Sequence, residues 1–112
     1  MSSLNDAEQK LNLADYLLNR DPPFPAAAMR HILQAANILV TIQLNMEENA
    51  KISPQIACSK LADSPETKSF AAEYMYLLNV AIKPTVLREE AENAYKATKS
   101  FLNLVKRARG SA

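Results

Sequence analysis

PAAAMRHILQAANILVTIQLNM, residues 25–46, carries a single formal charge, Arg30, and its polar side chains fall on one narrow helical stripe. Arg30, Gln34, Asn37, Thr41, Asn45 and Glu48 follow one another at steps of three or four. Ile32, Leu33, Ala35, Ala36, Leu39, Val40, Ile42 and Met46 occupy the remaining circumference. A surface helix needs one apolar stripe, so a helix that is apolar around most of its girth is expected to be enclosed by other helices or by a second subunit. The chain is expected to be built around this element.

Working outward, the same 3,4 spacing recurs. Leu4, Ala7, Leu11, Ala14 and Leu18 predict a first helix over residues 4–20, with Leu17 widening its apolar face. Asp21-Pro22-Pro23-Phe24-Pro25 ends it, because proline lacks an amide donor and pushes the preceding residue out of the α region. The central helix is expected over residues 25–49, about 37 Å long at 1.5 Å per residue. Ser53-Pro54 and Ser64-Pro65 each place a capping serine before a proline suited to the first helical position. They predict a short helix over 54–62 and a longer one over 65–82, the latter presenting Phe70, Tyr74, Leu77, Leu78 and Ala81 to the core. Thr85 is the expected cap of the last helix, where Leu87, Ala91, Ala94, Thr98, Phe101, Val105 and Ala108 form the inner row. Acids in its first turns and bases in its last complement the helix dipole, and Gly110 is the expected terminator. The expected fold is therefore all-α: an up-and-down four-helix bundle with a short additional helix, in one domain spanning residues 1–112.

Composition removes several classes of function. Gly110 is the one glycine in 112 residues, so neither a phosphate-cradling P-loop nor a dinucleotide-binding turn can be present. Thirteen basic against twelve acidic residues leave a formal charge of +1, which gives no global attraction to nucleic acid or anionic lipid. The one cysteine, Cys58, cannot form an intrachain disulfide and fits a reducing cytoplasm. Residues 1–13 carry acids and lack a basic region followed by an apolar run, so they do not read as a signal peptide. Residues 26–46 approach the length of a membrane span, yet Arg30 alone would cost roughly 2.5 to 3.5 kcal/mol near a bilayer centre. A cytoplasmic protein with no membrane contact is expected.

Two segments resemble the HEPN family of small prokaryotic helical bundles. HILQAANILVTIQL, residues 31–44, is similar to that family's second helix, in which Gln-Ala-Ala-Glu leads into an apolar run with lysines. YLLNVAIKPTVLREEAENAYKATKSFLNLVKRA, residues 76–108, resembles its end: a helix, a proline-containing loop, an Arg-Glu-x-Ala start and a closing helix ending in Phe-x-x-x-Val-Lys. Asn37 stands where the family often has Glu, and Ile38 and Thr41 stand where it has lysines. Members that cleave RNA resemble one another in an Arg-x4-6-His motif in a late helix. No histidine follows Arg88, so that motif is not found. The resemblance implies a HEPN-like domain that pairs with a minimal nucleotidyltransferase or serves nucleic-acid-linked defence, as in toxin-antitoxin pairs.

Candidate sites follow from side-chain chemistry. His31 is the one side chain that ordinarily titrates near neutrality, but no Asp or Glu lies within a helical turn of it to orient the ring. Arg30 and His31 are adjacent and point about 100° apart on a helix, which works against a residual ribonuclease site within one subunit. Cys58 with His31 would make a minimal nucleophile and base, though a buried inert thiol is the simpler reading. One His and one Cys cannot fill a tetrahedral metal site, and no cofactor or metal is expected. The stripe Arg30, Gln34, Asn37 and Thr41, with His31 beside it, is read as the seam of a homodimer, because exposed strips usually carry Lys and Glu rather than neutral amides. Lys96, Lys99, Lys106 and Arg107 are the candidate phosphate contacts of an RNA-binding alternative, although no aromatic residues interleave them for base stacking.

Overall fold

The computed structural model describes residues 4–46 and 53–108, and every regular element among them is helical. In chain order these are α1 (Leu4–Leu18), α2 (Pro25–Gln43), α3 (Pro54–Ala62), α4 (Lys68–Ala81) and α5 (Arg88–Ala108). The helices pack into a body of 38 × 30 × 26 Å. Helix α2 packs against α1, α4 and α5, α5 also packs against α1 and α4, and α3 lies on α4.

The inner rows expected from spacing are largely the buried ones. Ala7, Leu11, Ala14 and Leu18 of α1 meet Ala28, Met29, Ile32, Ala35, Ala36, Leu39 and Val40 of α2 in one continuous core. From α4 come Phe70, Ala71, Tyr74, Leu77 and Val80, and from α5 Ala91, Ala94, Thr98, Phe101, Leu102 and Val105. The Phe70 and Phe101 rings stack with centroids 3.9 Å apart, pinning α4 to α5. The alanines of α2 lack side-chain bulk, so its neighbours can come close. Its larger residues each contribute about 1.5 to 3 kcal/mol by burial.

The element ends differ from expectation for local reasons. Helix α1 stops at Leu18, two residues early, because the corner closes on it: the Phe24 amide reaches back to the Leu17 carbonyl at 3.0 Å. Pro22 and Pro23 have no amide to offer, so the first donor after them does this. Helix α2 stops at Gln43 rather than Asn49, since Asn45 turns left-handed at φ 54°. The Met46 amide then bonds the Thr41 carbonyl at 3.0 Å and the Asn45 amide bonds that of Ile42 at 3.1 Å, the paired bonds of a Schellman stop. Glu48 and Asn49 lie outside the described residues, as does Gly110.

Ser53 does cap α3, accepting the Ile56 amide at 3.2 Å, and that helix has the expected bounds. Ser64-Pro65 instead ends α3. The Leu61 carbonyl accepts the Ser64 amide and, at 2.5 Å, the buried Thr67 hydroxyl, so α4 begins at Lys68. Thr85 does not start α5 either. Glu90, in the first turn of α5, reaches back to the Leu87 amide at 3.0 Å, the glutamate half of a capping box, and α5 begins at Arg88. Leu87 is consequently 57% exposed rather than in the inner row.

Candidate functional site

The exposed edge of α2, charged only at Arg30, carries the candidate seam residues. Its exposed residues after Pro25 are Ala26, which the stripe read from spacing did not include, and Arg30, Gln34 and Asn37, which it did, followed by half-buried Thr41 and exposed Asn45. The edge forms because every other direction around α2 is filled by α1, α4 or α5. Five of the candidate seam residues thus share one helix: four lie along the exposed edge, and His31 sits beside it, half-buried. The His31 Nδ1 atom is buried and makes no hydrogen bond, and no carboxylate orients the ring.

Two clefts open beside this edge. Toward its C-terminal half, Asn37, Val40 and Thr41 of α2 face Tyr74 and Leu78 of α4 across a hollow of about 290 Å³, closed by Met46, Pro54 and Ala57. Here the Tyr74 hydroxyl donates to Asn37 Oδ1 at 2.6 Å. That bond fixes which way the amide faces, leaving Nδ2 as a donor. Thr41 turns its hydroxyl inward, donating to the Asn37 carbonyl at 2.8 Å. Burial, with the Cys58 thiol nearby, pushes the Tyr74 phenol above its ordinary value, so it remains a donor at neutral pH. Toward the N-terminal half, Ala26, Met29, Arg30 and Leu33 meet Ala81, Lys83 and Val86 around a second cleft of about 270 Å³.

Cys58, on α3, is half-buried, and its thiol lies 3.7 Å from the Ala71 carbonyl. Burial raises its pKa, which disfavours the nucleophilic thiolate. No hydrogen bond joins it to His31. Among the described residues no group of three or more His, Cys, Asp or Glu side chains could hold a metal ion, and no helix is long and apolar enough to cross a membrane.

The basic residues of α5 divide into two rows. Lys106 is tied to Glu8 of α1 at 2.7 Å, and Lys99 acts on the same carboxylate through space. Glu8 is held below the usual carboxylate range, first by its hydrogen bond to Lys106. Lys96 and Arg107 lie about 20° apart around the helix, about 60° from Lys99 in the case of Lys96, and are exposed. Lys96 lines a shallow groove of about 430 Å³ between α4 and α5, with Glu73, Tyr76, Asn93 and Ser100. The four candidate phosphate contacts span an arc of about 100° around α5, with Lys106 already engaged by Glu8.

Spacing alone missed the Asn37–Tyr74 bond, which joins residues 37 positions apart and leaves no sequence signal. It also missed a surface cluster that spacing could have shown. Tyr16, Arg20 and Phe24 stand four residues apart, and the Arg20 guanidinium lies 5.4 Å from one ring and 5.6 Å from the other while bonding the Tyr16 hydroxyl at 2.6 Å. Comparison with family models, with curated proteins and with solved structures returns no match.

Proposed function

We propose that the chain is a non-catalytic, HEPN-like interaction domain. In this reading it is a single up-and-down four-helix bundle with α3 as the added short helix, and it pairs with a second copy along the exposed edge of α2. The dimer would serve a nucleotidyltransferase or a nucleic-acid-linked partner in the cytoplasm. The packing of α1, α2, α4 and α5 on one another, with α3 on α4, supports the bundle. One observation carries the pairing. The exposed edge of an otherwise enclosed helix bears Gln34 and Asn37 at its middle and a single cation, Arg30, toward its end. Near a two-fold axis a residue meets its own copy, and an amide, being donor and acceptor at once, satisfies itself where like charges would repel. Because Tyr74 occupies Asn37 Oδ1, the Asn37 Nδ2 donor is directed to a partner's acceptor, for which Gln34 Oε1 is the nearest choice on the same edge.

Light scattering tests this. Wild type should scatter as a dimer, and Gln34→Glu with Asn37→Glu should scatter as a monomer. Since Asn37 also serves Tyr74, Gln34→Lys gives a second route: it adds a cation one turn from Arg30 and should dissociate the particle without touching that bond. A monomeric wild type, or an unchanged mass in both variants, overturns the reading. The ribonuclease or RNA-binding alternative draws less support, because His31 lacks an orienting carboxylate and Lys106 is already engaged by Glu8.

A further inference from the structure

We infer that the cleft beside the start of α2 binds a small monocarboxylate carrying a short apolar chain. Arg30 and Ala26 lie both on this cleft and on the edge proposed above for pairing, so light scattering accompanies each titration and separates a change of oligomeric state from binding. Its floor is hydrocarbon, from Met29 and Leu33 of α2, Ala81 at the end of α4, and Val86 of the following loop. Two cations line it, and they differ in their engagement. Lys83 is paired with Glu90, which in turn holds the Leu87 amide, so that side is neutral and braced. Arg30 is exposed, has no carboxylate partner among the described residues, and is the one charged residue in α2. The net charge presented to the cleft is therefore a single planar guanidinium, the group best shaped to grip a carboxylate through two parallel hydrogen bonds.

The surroundings point the same way. Ile82, between the lining residues Ala81 and Lys83, is 81% exposed, and Leu87 follows Val86 with more than half its surface in water. A volume of about 270 Å³ is near the lower end for small-molecule sites and equals the share of roughly nine liquid waters, which suits a chain of about six to eight carbons. A purely apolar ligand would leave Arg30 unused, and a cationic one would face it.

Sodium octanoate, hexanoate, octanol and octylamine, each below its aggregation threshold, are titrated into the full-length protein and followed by amide chemical shifts and calorimetry. Octanoate should bind saturably, with the largest shifts at Arg30, Leu33 and Ala81. Hexanoate should bind about fifteenfold more weakly, at about fourfold for each methylene removed. Octanol should be at least tenfold weaker, and octylamine should not bind. Arg30→Gln, a change at an exposed position, should weaken octanoate at least tenfold while leaving octanol unchanged, and Ala26→Phe should block both ligands at the rim. Unfolding curves of the variants matching wild type exclude a loss of fold. Shifts that map elsewhere, equal affinity for octanoate and octanol, or unchanged octanoate binding by Arg30→Gln overturn the inference.

Discussion

Thr98 occupies the inner row of α5 with no surface in water, and its hydroxyl is buried without a hydrogen-bond partner. A hydroxyl left unpaired in an apolar core costs about 1 to 3 kcal/mol, whereas a methyl group in the same place costs nothing in hydration. Thr98→Val keeps the shape and removes the unpaired group, so it should raise stability by about 1 kcal/mol, read as a higher midpoint in urea at unchanged slope. Tyr74 is the opposite case. Its hydroxyl is satisfied by Asn37 at 2.6 Å, so Tyr74→Phe loses a bond and frees the Asn37 amide to rotate. It should cost about 1 kcal/mol, and Tyr74→Phe with Asn37→Ala should cost less than the sum of the single changes, because the pair acts as a unit. The two hydroxyls differ in nothing that local sequence shows. Thr98 was legible as an inner-row residue from its spacing, but whether a partner faces it depends on helices elsewhere in the chain.

At the scale of the element, what was legible divides by the range of the forces involved. The positions of α1, α2, α3 and α5, and most of the inner rows of α1, α2 and α5, follow from side-chain spacing and proline, which act within a turn or two, although Leu87 and Ala108 of the row expected in α5 are exposed. The C-terminal end of α2 and the start of α4 do not. They depend on which donor reaches a vacant carbonyl, and Ser53 and Ser64 offer the same serine-proline signal with opposite outcomes. Ser64 differs because Thr67 lies three residues on, where its hydroxyl can seal Leu61. The exposed edge of α2 was legible from Arg30 to Asn37, and the clefts beside it were not, since their far walls come from α4 and its flanking segments. The stop of α2 also makes a prediction. Asn45 holds φ 54°, a region that costs ordinary residues about 1 kcal/mol and glycine almost nothing. Asn45→Ala should lower the thermal midpoint by several degrees, and Asn45→Gly should match or exceed wild type, a contrast that a merely exposed position would not give.

At the scale of the whole molecule, the first helix is held to the last by Lys106 and Glu8, 98 residues apart in sequence and 2.7 Å apart in space. Both side chains are about a third exposed, so water screens the pair and its contribution is under about 1 kcal/mol. Its pH dependence has a definite sign. The Glu8 carboxyl, gripped by Lys106, has a lower pKa in the folded chain than in the unfolded one. The stabilisation is therefore complete above the ordinary carboxylate pKa and fades as pH falls toward and through the folded value. Removing the carboxylate removes that dependence with it. Glu8→Gln should melt slightly below wild type at pH 7, and the gap should close as the pH is lowered through the carboxylate range, while raised salt at pH 7 should narrow it as well. A gap that persists in acid would overturn this reading, because glutamine keeps the same methylenes and differs from a protonated Glu8 in no charge.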